Sequence, residues 1–126
     1  MSGTILWQRV EGALVFAAGL ALFAASPAEL SWGWALALFF APDLSFAAYA
    51  IGPRAGAAAY NAVHLYALGA LCLALGVLLA APLIGALGAL WLGHSGFDRM
   101  LGYGLKSRRG FNETHLGRIG RAQLPR

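Results

Sequence analysis

Four stretches of nearly unbroken apolar sequence fill most of this chain. They run over about 5–25, 30–51, 56–80 and 83–103, and Ser26-Pro27, Gly52-Pro53 and Pro82 punctuate them. Each is close to the roughly 20 residues that cross about 30 Å of hydrocarbon at 1.5 Å per residue. Membrane β-strands alternate and span in about ten residues, so these runs do not suit a barrel. Helices satisfy their own backbone in lipid. The pattern predicts an all-α protein, a four-helix transmembrane bundle over 1–104 with a short basic cytoplasmic C-terminal tail over 105–126.

Composition agrees with the lipid bilayer as the surroundings. The chain is 60% hydrophobic and 11% charged, whereas a soluble domain has about a quarter of its residues charged. The single cysteine, Cys72, reads as a small packing residue within an apolar run. Arg9, the first apolar run and Ala24-Ala25-Ser26-Pro27-Ala28 also resemble a cleavable signal peptide. Against that, Glu11 opens the run, and Ala13, Ala17, Ala21 and Ala25 form a small-residue stripe suited to helix packing.

Charge sets the expected orientation. Seven of the nine Lys and Arg lie from Arg99 onward, Arg54 sits between the second and third stretches, and Arg9 starts the first. The other two loops carry none. The positive-inside rule then puts both termini and the Arg54 loop in the cytoplasm, as a multi-pass membrane protein.

With alternating helices, the ionisable residues fall at one level. Glu11, Asp43, His64, His94 and Asp98, together with Asn61, lie roughly 7–14 Å below the inner boundary at 1.5 Å per residue. His94 and Asp98 share a helix face at a spacing of four, and Asn61 and His64 share one at three. Pro42 removes a backbone donor beside Asp43 and predicts a kink. Gly85, Ala89 and Gly93 give the fourth stretch a small-residue stripe running into His94.

Imidazoles with carboxylates suit a divalent transition metal such as Zn or Fe. His64, His94, Asp98, Asp43 and a folded-back His115 are the candidate ligands. Asp43, Asp98 and Arg99 are the candidate catalytic residues for metal-dependent or acid–base, hydrolase-like chemistry on a membrane-proximal small molecule or lipid. No HExxH-type motif is present. Two other readings stay open. The carboxylates Glu11, Asp43 and Asp98 could pair with Arg9, Arg54 and Arg99 in a non-catalytic subunit or scaffold that docks a membrane partner. An oligomeric proton or ion pathway would need a polar route, and 67–80 and 12–25 hold no ionisable group except Cys72.

The tail from Tyr103 is basic and rich in glycine. It reads as a topology-setting, partly disordered segment, or as one lying on anionic lipid headgroups with Phe111, Leu116 and Ile119 dipping into the interface. Nucleic acid is not an expected partner, because topology already accounts for the cations and no recognisable nucleic-acid fold accompanies them.

Several blocks carry a family resemblance. Phe40-Ala-Pro-Asp-Leu-Ser-Phe, Gly52-Pro-Arg-Ala-Gly and Tyr60-Asn-Ala-Val-His64 come first. His94-Ser-Gly-Phe-Asp-Arg-Met-Leu-Gly-Tyr-Gly-Leu-Lys106 and Phe111-Asn-Glu-Thr-His-Leu-Gly117 follow. In order and spacing they resemble a small bacterial membrane family catalogued as domain of unknown function 4260. The resemblance implies a multi-helix membrane protein of unassigned activity. It lands on Asp43, Asn61, His64, His94, Asp98, Arg99, Tyr103, Lys106 and His115. The Ser107-Arg108-Arg109 connector is more basic than the family pattern.

Overall fold

Residues 2–119 are described by the computed structural model, and the tail cations Arg121 and Arg126 lie outside them. Four helical rods build the bundle. The first is α1, Gly3–Ala25. The second joins α2, Trp32–Phe39, to a 3-10 helix, Ala41–Ala50. The third joins α3, Pro53–Val63, to α4, Tyr66–Leu78, and the fourth is α5, Pro82–Leu101. Local chemistry sets the ends. The Ser2 and Ser31 side chains accept the backbone N–H groups of Ile5 and Trp34. Pro53 and Pro82 open α3 and α5, where their missing N–H is no loss. Gly102 closes α5 at φ 92°, in the left-handed region that glycine enters freely.

Three rods, Gly3–Ala25, Trp32–Ala50 and Pro53–Leu78, are long and apolar enough to cross a membrane. The expected fourth span is a helix of 20 residues but does not meet that standard. It is instead the most enclosed rod, with Ala86, Ala89, Leu90, Gly93, His94, Ser95, Gly96 and Arg99 buried. The large apolar side chains face outward, among them Leu14, Leu36, Leu44, Ile51, Val77 and Leu78. Small and polar residues fill much of the inside. This suits lipid, where close packing and polar contacts drive helix association. Trp7 lies exposed near one end of the bundle, and Trp32 and Trp34 start the second rod. Such amphipathic rings favour the interfacial levels of a bilayer.

Helices α1 and α5 touch through glycine. A Cβ on Gly19 would lie 2.7 Å from Gly93 Cα, and one on Gly96 would lie 2.5 Å from Phe16 N. The expected alanine stripe is not the one used, because Ala17, Ala21 and Ala25 are exposed while Gly12, Gly19 and Phe23 are buried. On α5 the expected stripe does pack, with Gly85 against Gly76 of α4 and Gly93 against Gly19. The apolar core comprises Phe23, Ala35, Phe39, Ala86, Ala89 and Leu90.

Two rods are broken, and both breaks adjoin candidate site residues. The kink expected at Pro42 is a complete change of helix type, with α2 ending at Phe39 and a 3-10 helix carrying Asp43. Runs of 3-10 helix this long are uncommon. The third rod, read from sequence as continuous over 56–80, stops at His64 and restarts at Tyr66, with Leu65 extended. The freed carbonyls find donors on α5. Trp91 Nε1 donates to Val63 O at 2.6 Å, and Arg99 Nη2 donates to His64 O at 3.2 Å. Irregular backbone at membrane depth persists where protein satisfies it in this way.

The segment after α5 is also ordered differently from the expected tail. Residues 106–118 form a three-stranded antiparallel sheet of β1 (Lys106–Ser107), β2 (Gly110–Thr114) and β3 (Gly117–Arg118), in the order β1-β2-β3. Asn61 fastens it to the bundle. Its Nδ2 donates to Lys106 O at 2.9 Å and its Oδ1 accepts Lys106 N–H at 2.6 Å. The side-chain amide thus serves β1 as a neighbouring strand would. Phe111 packs on Phe46 and Tyr49 rather than projecting away from the bundle.

Candidate metal centre

Four side chains from three rods converge. Asp43 comes from the 3-10 helix, His64 from the break after α3, and His94 and Asp98 from one face of α5. One ligand atom from each lies within 4.8 Å of all the others. His64 Nε2 is 3.3 Å from Asp43 Oδ1, 3.3 Å from Asp98 Oδ2 and 3.1 Å from His94 Nε2. His94 Nε2 is 3.1 Å from Asp43 Oδ1 and 3.4 Å from Asp98 Oδ2. A tetrahedral ion with bonds of about 2.0–2.2 Å holds its ligand atoms about 3.3–3.6 Å apart. The five spacings that involve an imidazole lie at or just below that range, and the two carboxylate oxygens lie within 4.8 Å of each other, so the set is of a size to close on a small divalent ion.

Hydrogen bonding explains why the atoms face inward. His64 Nδ1 lies 2.8 Å from Tyr60 O. A carbonyl can only accept, so Nδ1 carries a proton and Nε2 is the nitrogen turned to the cluster. Orientation of a ligand imidazole by its other nitrogen is usual at metal sites. His64 Nε2 faces two carboxylate oxygens and His94 Nε2. Protons on the imidazole Nε2 atoms, or a cation between the four side chains, satisfy these contacts.

Packing fixes the rings. Tyr60 stacks on His64 at 3.7 Å between centroids and 12° between planes, and its hydroxyl donates to Asp98 Oδ2 at 3.2 Å. Phe39 and Phe40 meet the His94 ring edge-on at 5.2 and 5.9 Å. His94 is fully enclosed and His64 nearly so. His94 Nδ1 has no hydrogen-bond partner among the described residues, so aromatic packing and the cluster itself orient this ring. The sequence reading did not single out Tyr60. Its position four residues before His64, on the same helix face, is the signal that marks it.

The other candidates lie elsewhere. Arg99 is buried, donates to His64 O and rests over the Tyr66 ring at 5.4 Å. It therefore holds the helix break that presents His64. Glu11 is exposed on α1 and outside the cluster. His115 does fold back under the bundle, but it does not join the four as a third imidazole. Its Nδ1 accepts Leu105 N–H at 2.8 Å, and its Nε2 donates to Gln8 Oε1 of α1 at 3.1 Å. The arginine–carboxylate pairs that were left open do not form at Asp43 or Asp98 among the described residues. Both carboxylates pair with imidazoles.

A cavity of about 300 Å³ opens on the cluster, lined by Asp43, Phe46, Tyr60, Asp98, Lys106 and Phe111 among others. Lys106 is 5% exposed, with its ammonium 3.9 Å from the Phe111 ring centroid and 5.0 Å from that of Tyr60. Burial pushes the ammonium below its ordinary range, against the opposing pull of Asp98 and Asp43.

Comparison with known proteins then gives one decisive result. The family described as Domain of unknown function (DUF4260) matches residues 5–119. The chain belongs to that family. Neither a curated protein nor a solved structure matches it. For this member of the 4260 family, the match spans all four clustered residues together with Asn61, Lys106 and His115.

Proposed function

We propose that this member of the 4260 family binds a divalent transition metal, zinc or iron, through Asp43, His64, His94 and Asp98, and uses it for hydrolytic chemistry on a membrane-proximal substrate. The observation that carries the reading is the convergence of two imidazole nitrogens and two carboxylate oxygens within 4.8 Å on a buried point that borders a cavity. When bound, such an ion polarises substrate oxygens and supplies a nucleophile from water at neutral pH. The protein's own groups do the rest. Tyr60 orients both His64 and Asp98, Arg99 braces the His64 carbonyl, and Phe39 and Phe40 keep His94 in place. Asp43, more exposed than Asp98, is the carboxylate best placed to trade metal binding for proton transfer.

The setting in this reading is a bacterial inner membrane with both termini cytoplasmic and the cluster in the cytoplasmic half. Gln8 of α1 and His115 of the sheet are hydrogen-bonded, which supports one shared side for the two chain ends. Arg108 and Arg109 are exposed at the turn between β1 and β2, where they can meet anionic headgroups.

Elemental analysis of the purified protein tests the proposal. One transition-metal equivalent per chain is expected, lost in His94→Ala and in Asp98→Ala. Metal-free protein after reconstitution with zinc or iron, with both variants folded, would replace this reading with that of a non-catalytic membrane subunit.

A further inference from the structure

Lys106 is a cation with no use in the cluster itself. Among the described residues its ammonium forms no ion pair and lies over the aromatic faces of Phe111 and Tyr60. Its backbone is clamped by Asn61, so the side chain projects from a fixed point. It lines the same cavity as Asp43 and Asp98. Asp43 and Asp98 act on the Lys106 charge across the cavity rather than by direct pairing. A divalent ion neutralises them and leaves the lysine charge uncompensated in a largely buried space. An ammonium held this way is completed by an anion.

The walls say what the anion is attached to. Phe46, Tyr60, Tyr103, Phe111 and Ile119 make most of the lining, and about 300 Å³ holds a headgroup-sized fragment rather than a whole lipid. Tyr60 couples the two charges, because its ring lies beneath the Lys106 ammonium and its hydroxyl bonds Asp98. A ligand reaching both needs oxygens on more than one side. We propose that Lys106 and the cluster form one binding site for a phosphate-type oxyanion carried on an apolar stem. This rests on the metal reading above and adds the substrate class to it.

The test uses the full chain in detergent or nanodiscs, with metal content measured in every preparation. Inorganic phosphate is titrated into the metal-loaded protein calorimetrically. Nanodiscs of phosphatidylcholine with and without phosphatidic acid supply the lipid arm, scored by zero-length crosslinking of Lys106 to the phosphate headgroup. Lys106→Met should weaken phosphate binding by about 10–100-fold, the range for losing one charged hydrogen bond, while Lys106→Arg stays within a few-fold. Metal content should be the same in all three, which separates this result from failure of the metal site. Binding of inorganic phosphate identifies a free phosphate compound as a sufficient ligand. Crosslinking only to phosphatidic acid identifies a lipid headgroup. The proposal is overturned if the metal-loaded protein engages neither, if Lys106→Met binds as the wild type does, or if removing the metal leaves binding unchanged.

Discussion

Asn61→Ala should release the three-stranded sheet from the bundle while leaving the helices intact. The side chain makes two hydrogen bonds to one residue, at 2.6 and 2.9 Å, and that residue is 5% exposed. Truncation leaves a buried N–H and a buried C=O without partners. Each such group costs about 1–3 kcal/mol, and partial rescue by water puts the pair at about 2–4 kcal/mol. At 1.4 kcal/mol per tenfold, the docked segment should open roughly 30–1000 times more often. Amide hydrogen exchange of residues 104–118 in nanodiscs reads this directly, with α4 as the internal control. Asn61→Asp keeps an acceptor for Lys106 N–H but sets a second oxygen against Lys106 O, so it should also loosen the segment. Exchange of 104–118 that stays within about threefold of wild type in Asn61→Ala would show that the amide clamp does not hold the sheet.

Three further outcomes are expected. Gly96→Ala should destabilise the bundle by about 1–3 kcal/mol in a denaturant titration, because its Cβ would sit 2.5 Å from Phe16 N and α1 would have to withdraw. Burial and the positive charge of Arg99 hold His115 below its ordinary pKa, and its neutral ring accepts Leu105 N–H. The contribution of this contact should be complete above about pH 6.5, where the unfolded residue is also neutral, and should be lost as pH falls below that value toward the lower folded pKa. Exchange of the Leu105 amide at pH 8 and pH 5 checks it, and His115→Leu should remove the difference. A chelator should lower the melting temperature of metal-loaded wild-type protein and leave that of His94→Ala unchanged, since only a bound ion adds linkage stability.

The sequence alone determined the rods and their chemistry. Apolar length, proline and glycine punctuation and the depth of the ionisable residues are local or one-dimensional properties, and lipid leaves the backbone few alternatives to a helix. They were enough to give four helices and to single out Asp43, His64, His94 and Asp98, and their spacing brought the last two onto one face. Tertiary structure decided which polar groups meet. The break at His64 depends on donors from Trp91 and Arg99 of another helix, and the sheet depends on an amide of α3 pairing with a strand 45 residues away. Neither contact leaves a periodic trace in the chain. The same is true of Lys106, whose isolated charge looks like part of a basic tail until Asn61 turns its strand over the cluster. Glycine rather than alanine was chosen at the α1–α5 crossing for a reason equally invisible in one helix, namely how near the other backbone comes.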